Sequence, residues 1–213
     1  MTYSVKELFF TLQGEGAQAG RAAVFCRFTG CNLWSGREVD RATAACTFCD
    51  TDFLGMDGPG GGAFAGPDHL AQRILEVWQT HSQGGGQPFV VFTGGEPALQ
   101  LDAPLVEACH SRRIEVAIET NGTKPLAPGI DWICVSPKPR STIIQTQGDE
   151  LKFVYPQVDL APAEFATWDF GHWFIQPMDG PDLQANVEAA TLFCMQNPQW
   201  RLSLQTHKMI GIP

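Results

Sequence analysis

The 213 residues carry 44% hydrophobic and 17% charged side chains, enough length and apolar content for one sizeable core. Fourteen basic against 23 acidic residues give a formal charge of −9, and no Lys or Arg run is dense enough to track a phosphate backbone, which disfavours nucleic acid as a direct partner. The N-terminal MTYSVKELFFTLQGEG lacks the basic and apolar pattern of a secretory leader, and no apolar run approaches about 18 residues, so a soluble cytoplasmic chain with no membrane partner is expected.

In chain order, apolar runs around Phe9 and from Ala22 to Phe28 predict two strands. Between Gly55 and Pro67, six of thirteen residues are glycine and two are proline, which predicts a flexible surface loop within one domain spanning 1–213. Leu70, Ile74, Val77, Trp78 and His81 then recur at helical spacing over Asp68 to His81, with Pro67 suited to the first turn. Short strands follow at Phe89–Phe92, Ile114–Glu119 and Trp132–Val135, with further candidates in LKFV, WFI and LSL. Helices are predicted at Pro104–Arg112 and Leu183–Gln196. This alternation implies an α/β fold with a largely parallel sheet.

Polar groups gather immediately after these strands: Thr93 to Glu96, Thr120 to Gly122, Ser136 to Lys138, Gln176 with Pro177, and Gln205 to Lys208. The carboxyl ends of parallel strands face one rim, where loops vary without disturbing the core, so this rim is the expected site. No P-loop or dinucleotide fingerprint is present, since Gly14, Gly16 and Gly20 miss the required spacing by one residue. His69, His81, His110 and His172 stand singly and read as structural.

Seven cysteines cannot all pair, and a cytosolic setting keeps thiols reduced. Cys109, Cys134 and Cys194 lie in apolar segments and read as core. Cys46 and Cys49 are two residues apart, a spacing that aims both sulfurs at one metal or cluster, and Cys31 supplies a third thiol. Cys26 shares a strand face with Val24 and Phe28, which leaves three clustered ligands and favours a cluster over a closed four-thiol zinc site in a binding module.

FFTLQGEG at Phe9–Gly16, CNLW at Cys31, CTFCDT at Cys46–Thr51, then TGGEP, ETNGT, SPK, the Ile175–Pro177 step and the terminal QTHKMIGIP resemble, in this order, the radical S-adenosylmethionine enzymes, and more narrowly the 7-carboxy-7-deazaguanine synthase family. Other radical enzymes, such as activases, fit the substrate-side motifs less well. The resemblance implies an incomplete, open parallel (β/α) barrel, and the scarcity of helical stretches between Ile114 and Leu160 predicts fewer helices than a full family barrel. The resemblance also implies a 4Fe-4S cluster on Cys31, Cys46 and Cys49, with S-adenosylmethionine bound at the open iron. Phe48, Cys49, Asp50, Gly95, Glu96, Ser136, Pro137, Lys138 and Gln176 would form the cofactor site, and Thr51 resembles a Mg2+ ligand.

By the same resemblance the substrate is 6-carboxy-5,6,7,8-tetrahydropterin. Gln13 and Glu15, with the backbone of Leu12 to Gly14, would read its guanine-like edge, Arg27 would clamp its carboxylate, and Thr93 and Pro213 would complete the pocket. The implied reaction is radical ring contraction to 7-carboxy-7-deazaguanine with loss of ammonia, by a carbon-nitrogen lyase of the queuosine and 7-deazapurine pathway that feeds tRNA modification. An electron donor such as a flavodoxin and a homodimeric assembly are also implied. Fourteen residues separate Cys31 from Cys46, where the family pattern has three; removing Ser35–Ala45 would join CNLW to CTFCDT, so residues 35–45 read as an insertion in the cluster loop.

Overall fold

The computed structural model describes residues 2–83 and 85–213. Strand β1 spans Thr2–Leu12 and β2 spans Ala22–Phe28; they pair antiparallel. Strand β3, Gly62–Ala65, adds antiparallel to the other edge of β1. Helix α1, Pro67–His81, then crosses to β4, Phe89–Gly94, which lies parallel to β2. From β4 onward, β5 (Glu115–Thr120), β6 (Trp132–Val135), β7 (Gln147–Tyr155), β8 (Asp169–Pro177) and β9 (Arg201–Leu202) add in sequence, all parallel. The order β3-β1-β2-β4-β5-β6-β7-β8-β9 leaves β3 and β9 as free edges, so the parallel barrel stays open and incomplete, as expected.

Helix α1 starts on Pro67, where a missing N–H goes unmissed, and buries Leu70, Ala71, Ile74, Val77 and Trp78 on one stripe. Trp78 meets the Phe10 ring edge-on at 5.6 Å, which docks the helix on β1. Each large side chain in this stripe contributes about 1.5–3 kcal/mol by leaving water. Helix α2, Ala103–His110, opens with Asp102 accepting from the Leu105 amide and stops two residues short of the expected end. Helix α3, Leu183–Gln196, covers β8. Among the described residues, no helix lies between β5 and β7, in agreement with the scarcity of helical pattern between Ile114 and Leu160. A short helix, α4 at Thr206–Ile210, forms where sequence indicated only a polar rim.

The Gly55–Pro67 segment is not a free loop, which corrects the expectation. The Leu8 amide donates to Pro59 carbonyl at 2.8 Å, the Gly58 amide to Lys6 carbonyl at 3.0 Å, and Phe64 is buried. Glycine suits position 61 because a Cβ there would collide with the Lys6 carbonyl, so this composition permits close backbone approach.

Cys26, Cys109 and Cys134 are buried as expected, whereas Cys194 is partly exposed beside the β7–β8 core. The four isolated histidines pack or pair with neighbours: His81 stacks on Phe10 and His172 on Trp132, His69 lies tilted against Phe64, and His110 meets Asp131 at 2.8 Å. Among the described residues, no helix is long and apolar enough to cross a membrane.

Candidate functional site

The carboxyl ends of the parallel strands open into a cavity of about 410 Å³. Its cysteine wall begins three residues after β2. Phe28 pairs with Gly94, and a Cβ at Gly94 would press on the Phe28 backbone; one at Gly95 would lie 2.7 Å from Cys31 Cβ. The Glu96 amide donates to Gly30 carbonyl at 2.9 Å. Two glycines in TGGE thus let this turn seat directly on the chain that carries Cys31. Leu33 carbonyl then accepts from the amides of both Ala45 and Cys46, at 3.1 and 3.4 Å, closing the neck of the 35–45 segment.

Cys31, Cys46 and Cys49 are free thiols; Cys46 senses the charge of the other two, and Cys31 that of Cys49. Burial pushes the Cys31 and Cys46 thiols up, while Lys138 draws Cys46 back down. Cys46 and Cys49 line the cavity; Cys31 sits behind Gly95. A closed four-thiol site would need Cys26, but that thiol is fully buried in the β2 core beside Cys109 and its pKa is raised well above the ordinary range. Three thiols beside an open cavity therefore fit a cluster held at three corners. Among the described residues, no three His, Cys, Asp or Glu side chains gather closely enough for a single metal ion.

Phe48, Asp50, Thr51, Gly95, Ser136, Lys138 and Gln176 share this wall. Lys138 Nζ donates to Ser136 Oγ at 2.6 Å and stands 5.8 Å over the Phe48 ring. Gln176 is fixed by Ser203 Oγ, which donates to its Oε1 at 3.0 Å and accepts from Gly16 N at 2.9 Å. Thr51 Oγ1 lies 3.5 Å from Asp50 Oδ1.

Pro137 and Glu96 stand outside the cavity wall. Burial raises the Glu96 pKa, an effect partly offset as its carboxylate accepts from Thr120 Oγ1 at 2.7 Å, Asn121 N at 2.8 Å and Ala98 N at 2.9 Å. The side chain braces the ends of β4 and β5, so only the backbone of this turn faces the cavity through Gly95.

The opposite wall holds Leu12, Gln13, Gly14, Glu15, Arg27, Thr93 and Pro213. Glu15 is no solvated turn residue. Its Oε2 meets Lys152 Nζ at 2.6 Å and its Oε1 accepts from Gln205 at 3.0 Å, while Lys152 also meets Glu119 at 2.8 Å. Burial opposes ionisation of Glu15, but the charge and hydrogen bond of Lys152 prevail and hold its pKa well below the ordinary 4.5. Gln13 Nε2 donates to Glu119 Oε1 at 3.1 Å and Gln13 Oε1 accepts from the Glu15 amide. Arg27 Nε pairs with Glu7 Oε1 at 2.7 Å, leaving the terminal guanidinium nitrogens for a ligand. Thr11 Oγ1 donates to Pro213 carbonyl at 2.7 Å, which draws the last residue to the cavity.

Lys152, Glu119 and Glu7 also line the cavity and escaped the sequence reading; His207 and Lys208, expected only as part of the polar rim, line it too. For Lys152 a signal existed: Glu150 and Lys152 alternate onto one face of β7, where a charge inside a sheet needs a partner. Lys208 carried no signal of its partners, because its bonds to Asp50 at 2.7 Å and Asp179 at 2.5 Å join remote segments.

No family model matches the chain. It is 63% identical to the 7-carboxy-7-deazaguanine synthase of Bordetella pertussis and 57% identical to that of Caulobacter vibrioides, over the whole of both chains in each case. Identity to the same synthase from Bacteroides thetaiotaomicron is 38%, again over both whole chains. The crystal structure of QueE from Escherichia coli superposes with a TM-score of 0.67 at 24% identity, covering 96% of this chain and 94% of that one, and so shares its fold. Full-length identity at these levels, joined to the three-thiol loop and the rim it faces, makes the chain a member of the 7-carboxy-7-deazaguanine synthase family.

Proposed function

We propose that this protein converts 6-carboxy-5,6,7,8-tetrahydropterin to 7-carboxy-7-deazaguanine by radical ring contraction with loss of ammonia, as a carbon-nitrogen lyase. The observation that carries this reading is the placement of Cys46 and Cys49 in the same cavity as the Glu15–Lys152–Glu119 set, with Cys31 directly behind Gly95 of that wall. Cys31, Cys46 and Cys49 would hold a 4Fe-4S cluster, which with S-adenosylmethionine would supply radical hydrogen-abstraction chemistry.

The chain's own residues bind, orient and exclude water. Lys138, braced on Ser136, and Gln176, braced on Ser203, present fixed polar groups to the cofactor, and Phe48 gives an apolar surface beside them. Lys152 keeps Glu15 ionised and pairs with Glu119, so both carboxylates accept from the amino and ring N–H groups of the substrate. Gln13 adds an amide to the same edge. The free η nitrogens of Arg27 take the substrate carboxylate, and Thr93 adds a hydroxyl. Thr51, next to Asp50, is the proposed protein ligand to Mg2+, which commonly retains waters and substrate oxygens. A flavodoxin-like electron donor and a homodimer complete the proposal.

The test is anaerobic purification with assay of iron, acid-labile sulfide and zinc, followed by turnover with the pterin. About four irons and four sulfides per chain, with product formed, support the reading. About one zinc and no sulfide after reconstitution would refute it.

A further inference from the structure

The segment Ser35–Ala45 is folded on itself. Ser35 Oγ donates to Asp40 at 2.6 Å and accepts from the Arg37 amide at 3.1 Å, and a 3₁₀ turn runs over Glu38–Thr43. From that turn Arg41 reaches back across the cysteine loop. Its guanidinium lies 4.1 Å over the Trp34 ring and its Nε meets Glu38 at 2.8 Å. Its Nη1 donates both to Thr47 carbonyl at 3.1 Å and to Cys49 carbonyl at 3.0 Å. One nitrogen therefore pins two carbonyls within the Cys46–Cys49 turn.

We infer that Arg41 is a positioning residue for the cluster: it locks the Cys46–Cys49 turn and makes the bound cluster easier to reduce. The inference rests on the assignment of Cys31, Cys46 and Cys49 as cluster ligands. One-electron reduction places added negative charge on a group already carrying three thiolates. A permanently charged guanidinium bonded to a ligand's own carbonyl stabilises the reduced state more than the oxidised one. Glu38 offsets this incompletely, because its side chain is 78% exposed and screened by water, whereas that of Arg41 is 28% exposed.

The experiment is an anaerobic redox titration of the reconstituted full chain with dithionite as electron donor, following the reduced cluster by electron paramagnetic resonance. Arg41→Gln should lower the ratio of reduced to oxidised cluster at fixed potential about tenfold, equivalent to 59 mV for one electron. Arg41→Lys, which keeps the charge, should recover most of that loss. Glu38→Gln, which leaves Arg41 in place, should shift the ratio the opposite way with iron and sulfide unchanged. Should Arg41→Gln fail to hold a cluster, the Glu38→Gln titration decides alone: an unchanged or lowered ratio overturns the inference. A wild-type chain that takes up zinc without sulfide refutes the ligand assignment itself, an outcome read from metal content before any titration.

Discussion

The two walls of the cavity are built in opposite ways. On the cysteine wall, Cys31, Cys46 and Cys49 sit on irregular chain whose shape comes from single hydrogen bonds, such as those to Leu33 and Thr47 carbonyls. On the far wall Glu119 and Lys152 stand on strands β5 and β7, set by sheet register, and of this charged set Glu15 alone comes from a loop. Gly16 lets that loop settle there, since a Cβ would collide with Glu150, whose Oε2 accepts from Ala17 N at 2.8 Å. The difference teaches which wall tolerates change. A loop held by a few hydrogen bonds can change length at little cost, while a buried charge set on strands must keep every partner.

Substitutions that separate the walls break or sharpen this comparison. The largest effect is expected for Cys49→Ala, which should abolish iron–sulfide uptake and turnover while shifting stability of the metal-free chain by less than about 1 kcal/mol. Metal analysis beside urea unfolding checks it, and a large stability loss would mean the loop is part of the folding core. Lys152→Met should instead lower unfolding free energy by about 3–5 kcal/mol, because it strands two carboxylates without their cation. A loss under about 1 kcal/mol would show that water reaches Glu15 and Glu119 freely.

A smaller effect is expected with pH. Glu15 is held ionised below its ordinary value, so its contribution to stability is present above pH 4.5 and drains away as pH falls through the range beneath it. Glu96 and Glu150, whose values burial raises, act in the opposite sense, so the informative comparison is with Glu15→Gln. Between pH 6 and pH 3 the unfolding midpoint of the wild type should fall more steeply than that of the variant; parallel curves would remove Glu15 from the ion-pair set. The smallest effect belongs to Cys26→Ala, expected to lower stability by about 1 kcal/mol and leave iron content unchanged. Iron lost with Cys26 would place a fourth ligand in the core.

Much of this was legible in sequence, unevenly. Leu70, Ile74 and Val77 announce α1 because a helix in water needs one apolar stripe, and the stripe is local. The ends of β4, β5, β6 and β8 announce the rim because parallel strands point their carboxyl ends one way. Glycine-rich 55–67 misleads, since glycine marks either freedom or close approach, and only the nearby Lys6 carbonyl selects the second. Glu96 looks like a ligand beside two glycines, yet Thr120 and Asn121, far along the chain, take its oxygens.

Sequence by itself determined the order of the main strands and helices, though not β3 or α4, and, through ordered motifs, the family, because periodicity and spacing act over short stretches of chain. Tertiary structure alone decided that Lys152 binds Glu15 and Glu119, that Lys208 joins Asp50 to Asp179, and that Arg41 reaches the Cys49 carbonyl. Charges and carbonyls pair by proximity in space, and side chains 137 or 158 positions apart along the chain become neighbours only when the sheet has formed.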